Sequence, residues 1–323
     1  MKPKCVVSLA LPEAIIQELR TRYEVIAWSG SEAMSEQQLV DALAGARGLL
    51  CALSTPIDAT MIDGATDLKV ISTISVGVDH IDLRAATRCG IPVGHTPGVL
   101  VDSTADLAVA LMLAATRRIA EADQWVRDGQ WTRGWQSDLL LGTDLSRATV
   151  GLVGLGPIGE AVARRLRGFG CKLVGWNRTP KPVEGVEPLE LDQVFATADV
   201  VTLHTALTGD TRHIASRERL ALMPSGATLI NTGRGPLVDE QALIDELSAG
   251  RLRAGLDVFC HEPIPADHPF LRLRNVVLLP HVGSATHATR IAMLSRALEN
   301  LEAGMSGQIL GWCANPAVYD RER

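Results

Sequence analysis

Residues 149–159 read TVGLVGLGPIG, and this stretch determines the type of fold that the chain adopts. Its apolar start is typical of a buried strand, and it leads directly into Gly154, Gly156 and Gly159, spaced as G-x-G-x-x-G. From residue 158 to residue 166, apolar residues recur at helical spacing. A strand, a glycine-rich turn and a helix in this order predict a βαβ unit whose helix N-terminus binds phosphate groups.

The three glycines of this turn have different physical roles. Gly154 permits the tight turn, Gly156 lets the backbone approach a pyrophosphate, and Gly159 lets the helix pack on the strand. We therefore predict that the turn binds a dinucleotide. The predicted contacts are Gly154, Leu155, Gly156, Pro157, Ile158 and Gly159. The alternative interpretation is a glycine turn that only joins a strand to a helix.

On both sides of this unit, short β-rich segments alternate with helical patterns. Five strand-like segments precede it, at 6–9, 23–28, 48–53, 70–74 and 91–95. A second series has six, at 148–153, 172–176, 200–204, 227–232, 254–258 and 276–279. Such alternation predicts parallel sheets flanked by helices, which is an α/β architecture.

Two helical segments divide the chain between these series. Ser103 is a candidate N-cap for a long helix that ends near Arg118, and residues 286–305 form a second helical tract. We expect the second tract to fold back on the N-terminal part. The prediction is therefore a cofactor domain inserted into a discontinuous substrate domain, with segments 1–99 (substrate domain), 100–289 (cofactor domain) and 290–323 (substrate domain).

Composition and charge restrict the partners of the chain. Its 323 residues, 46% hydrophobic and 21% charged, suit two ordinary globular domains. A net charge of −6 argues against nucleic acid or an anionic membrane as the main partner. The cysteines form no C-x-x-C pair, and the longest apolar run, 107–115, is about half a membrane span. We therefore predict a cytoplasmic protein with a small-molecule partner.

The stretch WNRTPK at 176–181, after the second strand of the cofactor domain, bears on the choice of cofactor. A protein that prefers NAD usually has an acidic side chain here for the ribose hydroxyls. That acid is absent, and Arg178, Thr179 and Lys181 offer donors to a 2′-phosphate. We therefore predict that Asn177, Arg178 and Thr179 bind NADP(H). NAD(H) is the alternative cofactor, and a solvated basic loop is the alternative interpretation.

Three side chains after later strands form a candidate catalytic group. Arg234 lies in a glycine-flanked turn, and its guanidinium can bind a carboxylate through two parallel hydrogen bonds. An imidazole can donate a proton to a carbonyl oxygen, which suits His281, and Glu262 can hold the second ring nitrogen. Together they predict reduction of a 2-oxo acid, with a hydride from the nicotinamide and a proton from His281.

Four motifs in order carry a resemblance: VGLGPIG at 153–159, NTGRG at 231–235, GLDVF at 255–259 before Glu262 and Pro263, and PHVGS at 280–284. On these motifs the chain resembles the D-isomer-specific 2-hydroxyacid dehydrogenases along nearly its whole length. The resemblance implies two Rossmann-like or flavodoxin-like parallel-sheet domains. It also implies that Arg234 binds the substrate carboxylate and that Glu262 is the partner of the acid/base His281.

The resemblance assigns further contacts. The backbone N–H groups of Val76 and Gly77 would hold the substrate carboxylate, and Asp257 would contact the nicotinamide carboxamide. The other predicted cofactor contacts are Thr104, His204, Thr205, Thr232, Gly233, Arg234, His281 and Gly283. The chain departs from the family at Ala206, where a proline is usual, and we expect this change to relax the loop beside the adenine.

The stretches ISVG at 74–77 and PHVGSATH at 280–287 most resemble bacterial glyoxylate/hydroxypyruvate reductase B and 2-ketogluconate reductases, a group that favours NADPH. We therefore expect an NADPH-preferring reductase that converts small 2-oxo acids to D-2-hydroxy acids, first of all glyoxylate and hydroxypyruvate. The alternative within the family is a 2-ketogluconate reductase. The alternative of another class is a dinucleotide sensor like the related transcriptional corepressors, which keep the same site residues.

The resemblance also implies a homodimer formed through the 100–150 region. Trp131 and Trp135 then have two interpretations, as packing or dimer contacts or as an aromatic wall of the substrate pocket. The histidines other than His281 show no metal-ligand spacing, so we predict no metal site. These are His80, His95, His204, His213, His261, His268 and His287.

Overall fold

The computed structural model describes residues 1–30 and 34–322 of the chain. They form two compact units, one of Met1–Val99 with Thr286–Arg323 and one of Leu100–Ala285. The chain returns to the first unit at Thr286, somewhat earlier than residue 290, where the sequence predicted the return. The predicted domain bounds remain a proposal. Within the described ranges, no helix is both long enough and apolar enough to cross a membrane.

The first unit contains a five-stranded sheet in which all strands are parallel. Its strands are β1 (Lys4–Val7), β2 (Glu24–Ala27), β3 (Gly48–Cys51), β4 (Val70–Thr73) and β5 (Val93–Gly94), in the order β2-β1-β3-β4-β5. All residues of β3 and β4 are buried, as expected for a parallel sheet covered on both faces.

Four helices connect these strands, and polar caps define where three of them begin. They are α1 (Glu13–Arg22), α2 (Glu36–Leu43), α3 (Ala59–Gly64) and α4 (Leu83–Arg88). Ser35 and Gln38 form a reciprocal capping box at α2. Asp58 and Asp82 each accept a hydrogen bond from a backbone N–H of the helix that follows.

The second unit begins with two helices, α5 (Val101–Thr116) and α6 (Ile119–Arg127). The predicted N-cap at Ser103 is wrong, because α5 already begins at Val101 and the Ser103 hydroxyl donates to the Leu100 carbonyl oxygen at 3.1 Å. Serine side chains commonly form hydrogen bonds with nearby backbone groups in the first turn of a helix. In the sequence, a serine at such a position therefore resembles an N-cap.

A seven-stranded parallel sheet forms the core of the second unit. Its strands are β6 (Thr149–Val153), β7 (Lys172–Trp176), β8 (Glu187–Pro188), β9 (Val200–Leu203), β10 (Thr228–Asn231), β11 (Arg253–Leu256) and β12 (Val276–Leu278), in the order β12-β11-β10-β9-β6-β7-β8. The predicted pair of parallel α/β sheets is confirmed. β8 was missed because its two exposed residues carry no apolar pattern.

Helices cover both faces of this sheet. The helices that come after β6 in the chain are α7 (Pro157–Leu166), α8 (Leu191–Thr197), α9 (Arg217–Leu222) and α10 (Glu240–Ser248). Residues of α5 and α7 share one buried cluster with Leu152 of β6, and residues of α8 to α10 share another with Val153. Because successive side chains of a strand point to opposite faces, β6 contributes to both clusters.

The last α-helix of the described residues is α11 (His287–Met305), which packs on β3 and β4 in the first unit. Its N-cap is Thr286, whose hydroxyl accepts the Thr289 N–H at 3.2 Å. A Cβ on Gly304 would collide with the side chain of Val70, so this contact requires glycine. The close approach anchors the helix on the sheet.

Candidate active site

Most predicted site residues of the second unit lie at the carboxyl ends of its strands. β6 continues to β7 on one side, and its neighbour β9 continues to β10 on the other side, so the connections after these two adjacent strands run in opposite directions along the sheet. Ligands of doubly wound α/β proteins bind in the crevice at such a reversal. The glycine-rich turn follows β6, and His204 follows β9.

The glycine-rich turn fits the close approach of a phosphate group. Gly154 has a φ of +97°, and a Cβ there would lie 2.8 Å from the carbonyl carbon of His204. A Cβ on Gly159 would collide with the carbonyl oxygen of Gly154. In contrast, a Cβ on Gly156 would meet no atom within 4 Å, so space is open at this point. α7 begins at Pro157, so the unpaired N–H groups of its first turn are available beside this space.

Two buried hydroxyls at the ends of β9 and β10 lack hydrogen-bond partners in the described part of the chain. They are the Oγ1 atoms of Thr205 and Thr232, which follow β9 and β10. Leaving a buried polar atom unpaired costs free energy, so both hydroxyls fit contacts to a bound cofactor.

The His204 imidazole is engaged within the protein. Its Nε2 lies 3.0 Å from Thr202 Oγ1, and burial lowers the pKa of the imidazole to about 4. The backbone of His204 and Thr205 lies against Gly154. Any contact of His204 with a cofactor would therefore come from its backbone more readily than from its ring.

The end of β7 is tied to the glycine-rich turn through Asn177. Its amide accepts the Leu155 N–H at 3.0 Å and donates to the Thr179 carbonyl oxygen at 2.8 Å. Lys181 forms an ion pair with Glu160, which reduces the charge that it can offer to a phosphate. Arg178 is exposed and forms no hydrogen bond or ion pair with any residue that the structure describes. Binding of a 2′-phosphate by Arg178 stays a prediction.

The turn after β10 fixes the position of Arg234. The Asn231 amide donates to the Arg234 carbonyl oxygen at 2.8 Å and accepts the Gly233 N–H at 3.0 Å. The Arg234 guanidinium donates to the Gly233 carbonyl oxygen at 2.8 Å. The Asn231 amide thus binds backbone groups of both Gly233 and Arg234, and these bonds fix the backbone from which the Arg234 guanidinium extends.

Gly235 brings this turn against a distant segment of the chain. A Cβ on Gly235 would collide with the peptide that joins Phe259 to Cys260. That peptide begins the loop that carries Glu262, so a glycine at position 235 lets the Arg234 turn and the Glu262 loop touch. The positive charge of Arg234 is close enough to contribute to the lowering of the pKa of Glu262.

Glu262 and His281 form a hydrogen-bonded pair. Glu262 Oε2 lies 2.6 Å from His281 Nδ1, and Glu262 Oε1 accepts the Phe259 N–H at 3.0 Å. The two side chains retain 29% and 26% of their exposure. A carboxylate on Nδ1 places the proton of a neutral ring on that nitrogen, and it stabilises the imidazolium. The Nε2 atom is then the ring nitrogen left for proton exchange with a ligand, and the acid/base role of His281 stays a prediction.

Asp257 holds the turn that contains His281. Its two carboxylate oxygens accept the N–H groups of Val282 and Gly283, each at 2.8 Å, and its carbonyl oxygen accepts the His281 N–H at 2.9 Å. These bonds hold His281 at a φ of +54°, a conformation that side chains rarely adopt. Thr104 is adjacent, since a Cβ on Gly283 would lie 3.6 Å from its hydroxyl oxygen. Contact of Asp257 with a carboxamide stays a prediction.

The pKa values of the Glu262 and Asp257 carboxylates are shifted in opposite directions. For Glu262, burial raises the pKa, but the bonds from His281 and the Phe259 N–H, with nearby positive charges, outweigh burial and leave the pKa lowered. For Asp257, burial dominates and the pKa is raised despite its two backbone bonds. Among the described residues, no three His, Cys, Asp or Glu side chains form a group suited to a metal ion.

Sequence reasoning missed a supporting carboxylate, Glu240. It accepts the Cys260 N–H at 3.3 Å and lies 3.4 Å from His268 Nε2, so it holds the base of the Glu262 loop. As the first residue of α10, it reads as an ordinary acidic residue of a first helical turn. The sequence contains no signal that distinguishes it.

The predicted substrate loop belongs to the first unit, where it is held by its own hydrogen bonds. Ser75 Oγ donates to the Gly77 carbonyl oxygen at 2.7 Å and lies 2.9 Å from Thr73 Oγ1. His95 Nδ1 lies 3.0 Å from the Val76 carbonyl oxygen. The carbonyl groups of the loop are thus engaged, and binding of a carboxylate by the N–H groups of Val76 and Gly77 stays a prediction.

Comparison with known proteins identifies the family. Residues 109–283 match the model of the D-isomer specific 2-hydroxyacid dehydrogenase, NAD binding domain. A glyoxylate reductase of Korarchaeum cryptofilum (strain OPF8) is 40% identical over 314 residues, which is 96% of this chain and 95% of that protein. Glyoxylate/hydroxypyruvate reductase B of Yersinia pestis (strain Pestoides F) is 40% identical over 324 residues, 98% of this chain and 99% of that protein.

A solved structure agrees with these sequence matches. It is that of an NADPH-dependent glyoxylate/hydroxypyruvate reductase from Sinorhizobium meliloti in complex with NADP and malonate. The two chains are 31% identical and superpose with a TM-score of 0.86 over 98% of each chain. The family model, the full-length relatives and the shared fold lead to one conclusion: this chain belongs to the D-isomer-specific 2-hydroxyacid dehydrogenase family.

Proposed function

We propose that the chain is an NADPH-preferring reductase that converts glyoxylate and hydroxypyruvate to the corresponding 2-hydroxy acids. The observation that carries this proposal is the Glu262–His281 pair, at 2.6 Å, beside the turn that holds Arg234. A carboxylate-paired imidazole and a guanidinium are the two groups that a 2-oxo acid requires, one for its carbonyl oxygen and one for its carboxylate. The relatives named above are a glyoxylate reductase and two glyoxylate/hydroxypyruvate reductases.

Each residue has a defined part in the proposed reaction. Arg234 binds the substrate carboxylate and polarises the adjacent carbonyl group. His281 donates its Nε2 proton to the carbonyl oxygen, and Glu262 stabilises the imidazolium before this transfer. A reduced nicotinamide, when bound, would supply the hydride for the carbonyl carbon. The product therefore gains one hydride and one proton and leaves as a 2-hydroxy acid.

The residues around the glycine-rich turn fit the dinucleotide that this reaction needs. Space is open at Gly156, and the hydroxyls of Thr205 and Thr232, which have no partner among the described residues, follow strands at the same edge of the sheet. We propose that the turn binds the pyrophosphate and that Arg178 binds the 2′-phosphate of NADP(H). NAD(H) remains the alternative cofactor.

The reaction is tested by mixing NADPH with hydroxypyruvate and following the absorbance of the reduced nicotinamide. We expect turnover by the wild type and a loss of about 10²- to 10⁴-fold in kcat for His281→Ala. His261→Ala, which changes an exposed histidine next to Glu262, is the matched control and should retain the wild-type rate. NADPH binding without turnover of any 2-oxo acid would favour a dinucleotide sensor. A higher kcat/KM for 2-ketogluconate than for hydroxypyruvate would favour the alternative substrate.

The cofactor preference is tested separately with Arg178→Ala. Loss of an arginine–phosphate contact should weaken NADPH binding about ten- to a hundredfold and leave NADH binding nearly unchanged. Thr179→Ala, on the same loop, should have a smaller effect because a hydroxyl lacks the charge. Equal losses for NADPH and NADH in Arg178→Ala would contradict the assignment of this residue.

We also propose a homodimer and a reducing, cytoplasmic location. Several large apolar side chains between residues 119 and 141 are exposed, which supports contact with a second copy of the chain. They are Ile119, Val126, Trp131, Trp135 and Leu141. All six cysteines carry free thiols, which supports a reducing compartment. Sedimentation of the wild type and of Trp135→Ala tests the dimer, which this substitution should weaken.

A further inference from the structure

The loop that follows β4 contains two successive backbone N–H groups without acceptors, those of Val76 and Gly77. Neither group donates a hydrogen bond to a residue that the structure describes. Both residues remain partly exposed, so the two groups are not sealed inside the first unit. Successive backbone N–H groups of a turn can form a concave site that attracts anions.

The carbonyl oxygens of the same two peptides are held by two adjacent residues that follow β5. The backbone N–H of Thr96 donates to the Ser75 carbonyl oxygen at 2.8 Å, and His95 Nδ1 donates to the Val76 carbonyl oxygen at 3.0 Å. Because a carbonyl oxygen can only accept a hydrogen bond, the proton of a neutral His95 ring lies on Nδ1.

These two hydrogen bonds set the directions of the N–H groups. Both peptides are trans, since the one cis peptide bond among the described residues precedes Pro263. In a planar trans peptide the C=O and N–H groups point in opposite directions. Thr96 therefore orients the N–H of Val76, and His95 orients the N–H of Gly77, so that both groups face away from residues 95–96.

The backbone of His95 is itself fixed by α11 and the segment that follows this helix. Its N–H donates to the Trp312 carbonyl oxygen at 3.1 Å, and its carbonyl oxygen accepts Asn300 Nδ2 at 3.0 Å. Asn300 is buried, and its Oδ1 atom accepts the Trp312 N–H at 3.2 Å. The imidazole therefore extends from a backbone that buried groups hold on both sides.

A third hydrogen bond in the loop holds a different peptide. Ser75 Oγ donates to the Gly77 carbonyl oxygen at 2.7 Å. That oxygen belongs to the peptide whose N–H is that of Val78. Loss of this bond would loosen the loop without releasing either of the two peptides that Thr96 and His95 orient.

We infer that His95 is a positioning residue for substrate binding, because it holds the Val76–Gly77 peptide with the Gly77 N–H directed toward the substrate carboxylate. The inference rests on the proposed function, since it requires a substrate that carries a carboxylate. A peptide that is oriented before the substrate arrives need not be ordered on binding, which strengthens the contact. His95 acts through this peptide and does not itself contact the substrate.

Steady-state kinetics with NADPH and hydroxypyruvate test the role of His95. His95→Ala should raise KM about tenfold and leave kcat nearly unchanged, because the weakened contact to the carboxylate is made equally in the ground state and the transition state. His95→Asn should restore the wild-type KM, since its amide nitrogen can replace Nδ1 as the donor.

Ser75→Ala is the matched control. It also removes a hydrogen bond to a carbonyl oxygen of the loop, but the N–H of the peptide concerned is that of Val78. We expect a smaller rise in KM than for His95→Ala. Equal rises in the two variants would mean that general loosening of the loop, and not the orientation of one peptide, is responsible.

Calorimetric titration with oxalate, in the presence of saturating NADPH, measures carboxylate binding without turnover, because oxalate has no ketone group. His95→Ala should bind oxalate about tenfold more weakly than the wild type, and His95→Asn should bind it as the wild type does. This pattern without turnover of any 2-oxo acid would contradict the proposed reductase and still support the role of His95.

Three further results would overturn the inference. They are absence of saturable oxalate binding by the wild type, wild-type oxalate affinity in His95→Ala, and equal losses in His95→Ala and His95→Asn. Thermal unfolding of each variant verifies that it is folded. His95→Phe keeps an aromatic ring but has no donor, so it carries the test if His95→Ala does not fold.

Discussion

The two edges of the seven-stranded sheet use similar polar side chains for different purposes. At the amino edge, side chains hold backbone groups of neighbouring segments. Asp199 accepts the Thr149 N–H at 2.8 Å, and Asn275 donates to the Leu247 and Leu252 carbonyl oxygens at 2.9 and 2.8 Å. These bonds satisfy backbone groups that would otherwise be unpaired, so they stabilise the fold.

At the carboxyl edge, polar side chains are held in place but remain able to bind a ligand. Glu262 and His281 bind each other while both stay partly exposed. Thr205 and Thr232 keep unpaired hydroxyls, as far as the described residues show. The comparison teaches that the number of hydrogen bonds does not distinguish a site from a structural network. What distinguishes it is whether some of the groups remain available.

Among the variants that compare the two edges, Glu262→Gln should have the largest effect. Glutamine can still accept the Phe259 N–H, but it carries no charge to stabilise a protonated His281. We expect kcat to fall on the order of 10³-fold with little change in thermal stability. Glu240→Gln is the matched control, because it removes a charge from the base of the same loop without touching His281. An equal loss of kcat in both variants would mean that overall charge, and not the pair, is responsible.

Gly235→Ala should have the next largest effect. The added Cβ would force the Arg234 turn away from the Phe259–Cys260 peptide. A displacement near 1 Å can reduce activity about 10²-fold, so we expect kcat/KM to fall by about that factor. Gly209→Ala is the control, because a Cβ at that position would meet no atom within 4 Å. Wild-type kcat/KM in Gly235→Ala would show that the contact is not needed.

At the amino edge, Asp199→Ala should lower the stability of the protein and leave its activity unchanged. Loss of the carboxylate leaves the Thr149 N–H unpaired at the start of β6, which should lower the free energy of unfolding by about 1–3 kcal/mol. We expect kcat to stay at the wild-type value. Urea unfolding and steady-state kinetics on the same preparation would measure both quantities. A fall in kcat without a loss of stability would contradict the proposal that polar side chains at the amino edge stabilise the fold and do not serve the reaction.

The smallest effect concerns the dependence of stability on pH. The pKa of Glu262 is lowered from its ordinary value of 4.5, so its charged form is favoured in the folded protein. Such a group stabilises the fold above its unfolded pKa, and this contribution is lost as the pH falls through the lower folded value. The wild type should therefore exceed Glu262→Gln in stability by more at about pH 5 than at about pH 3. A difference that grows on acidification would contradict the direction of the shift.

Local patterns made the fold and the glycine-rich turn predictable. The run from Thr149 to Gly159 encodes a strand, a turn and a helix through contacts between near neighbours, and the parallel sheet follows from repeated alternation. Contacts between distant segments were not predictable. No pattern indicates that Gly235 touches the peptide after Phe259, or that Asp257 binds the two N–H groups that follow His281. These contacts depend on how neighbouring strands are aligned, which a single sequence does not specify.

The clamp from Asp257 to the His281 turn has a consequence for engineering. Because the imidazole is positioned from the end of β11, the connection between Glu262 and β12 does not determine where it lies. Residues 265–267 of that connection are exposed, so extra residues inserted there should be absorbed at the surface. Loops from relatives could therefore be grafted at this point to vary the rim of the site while the proton donor keeps its place.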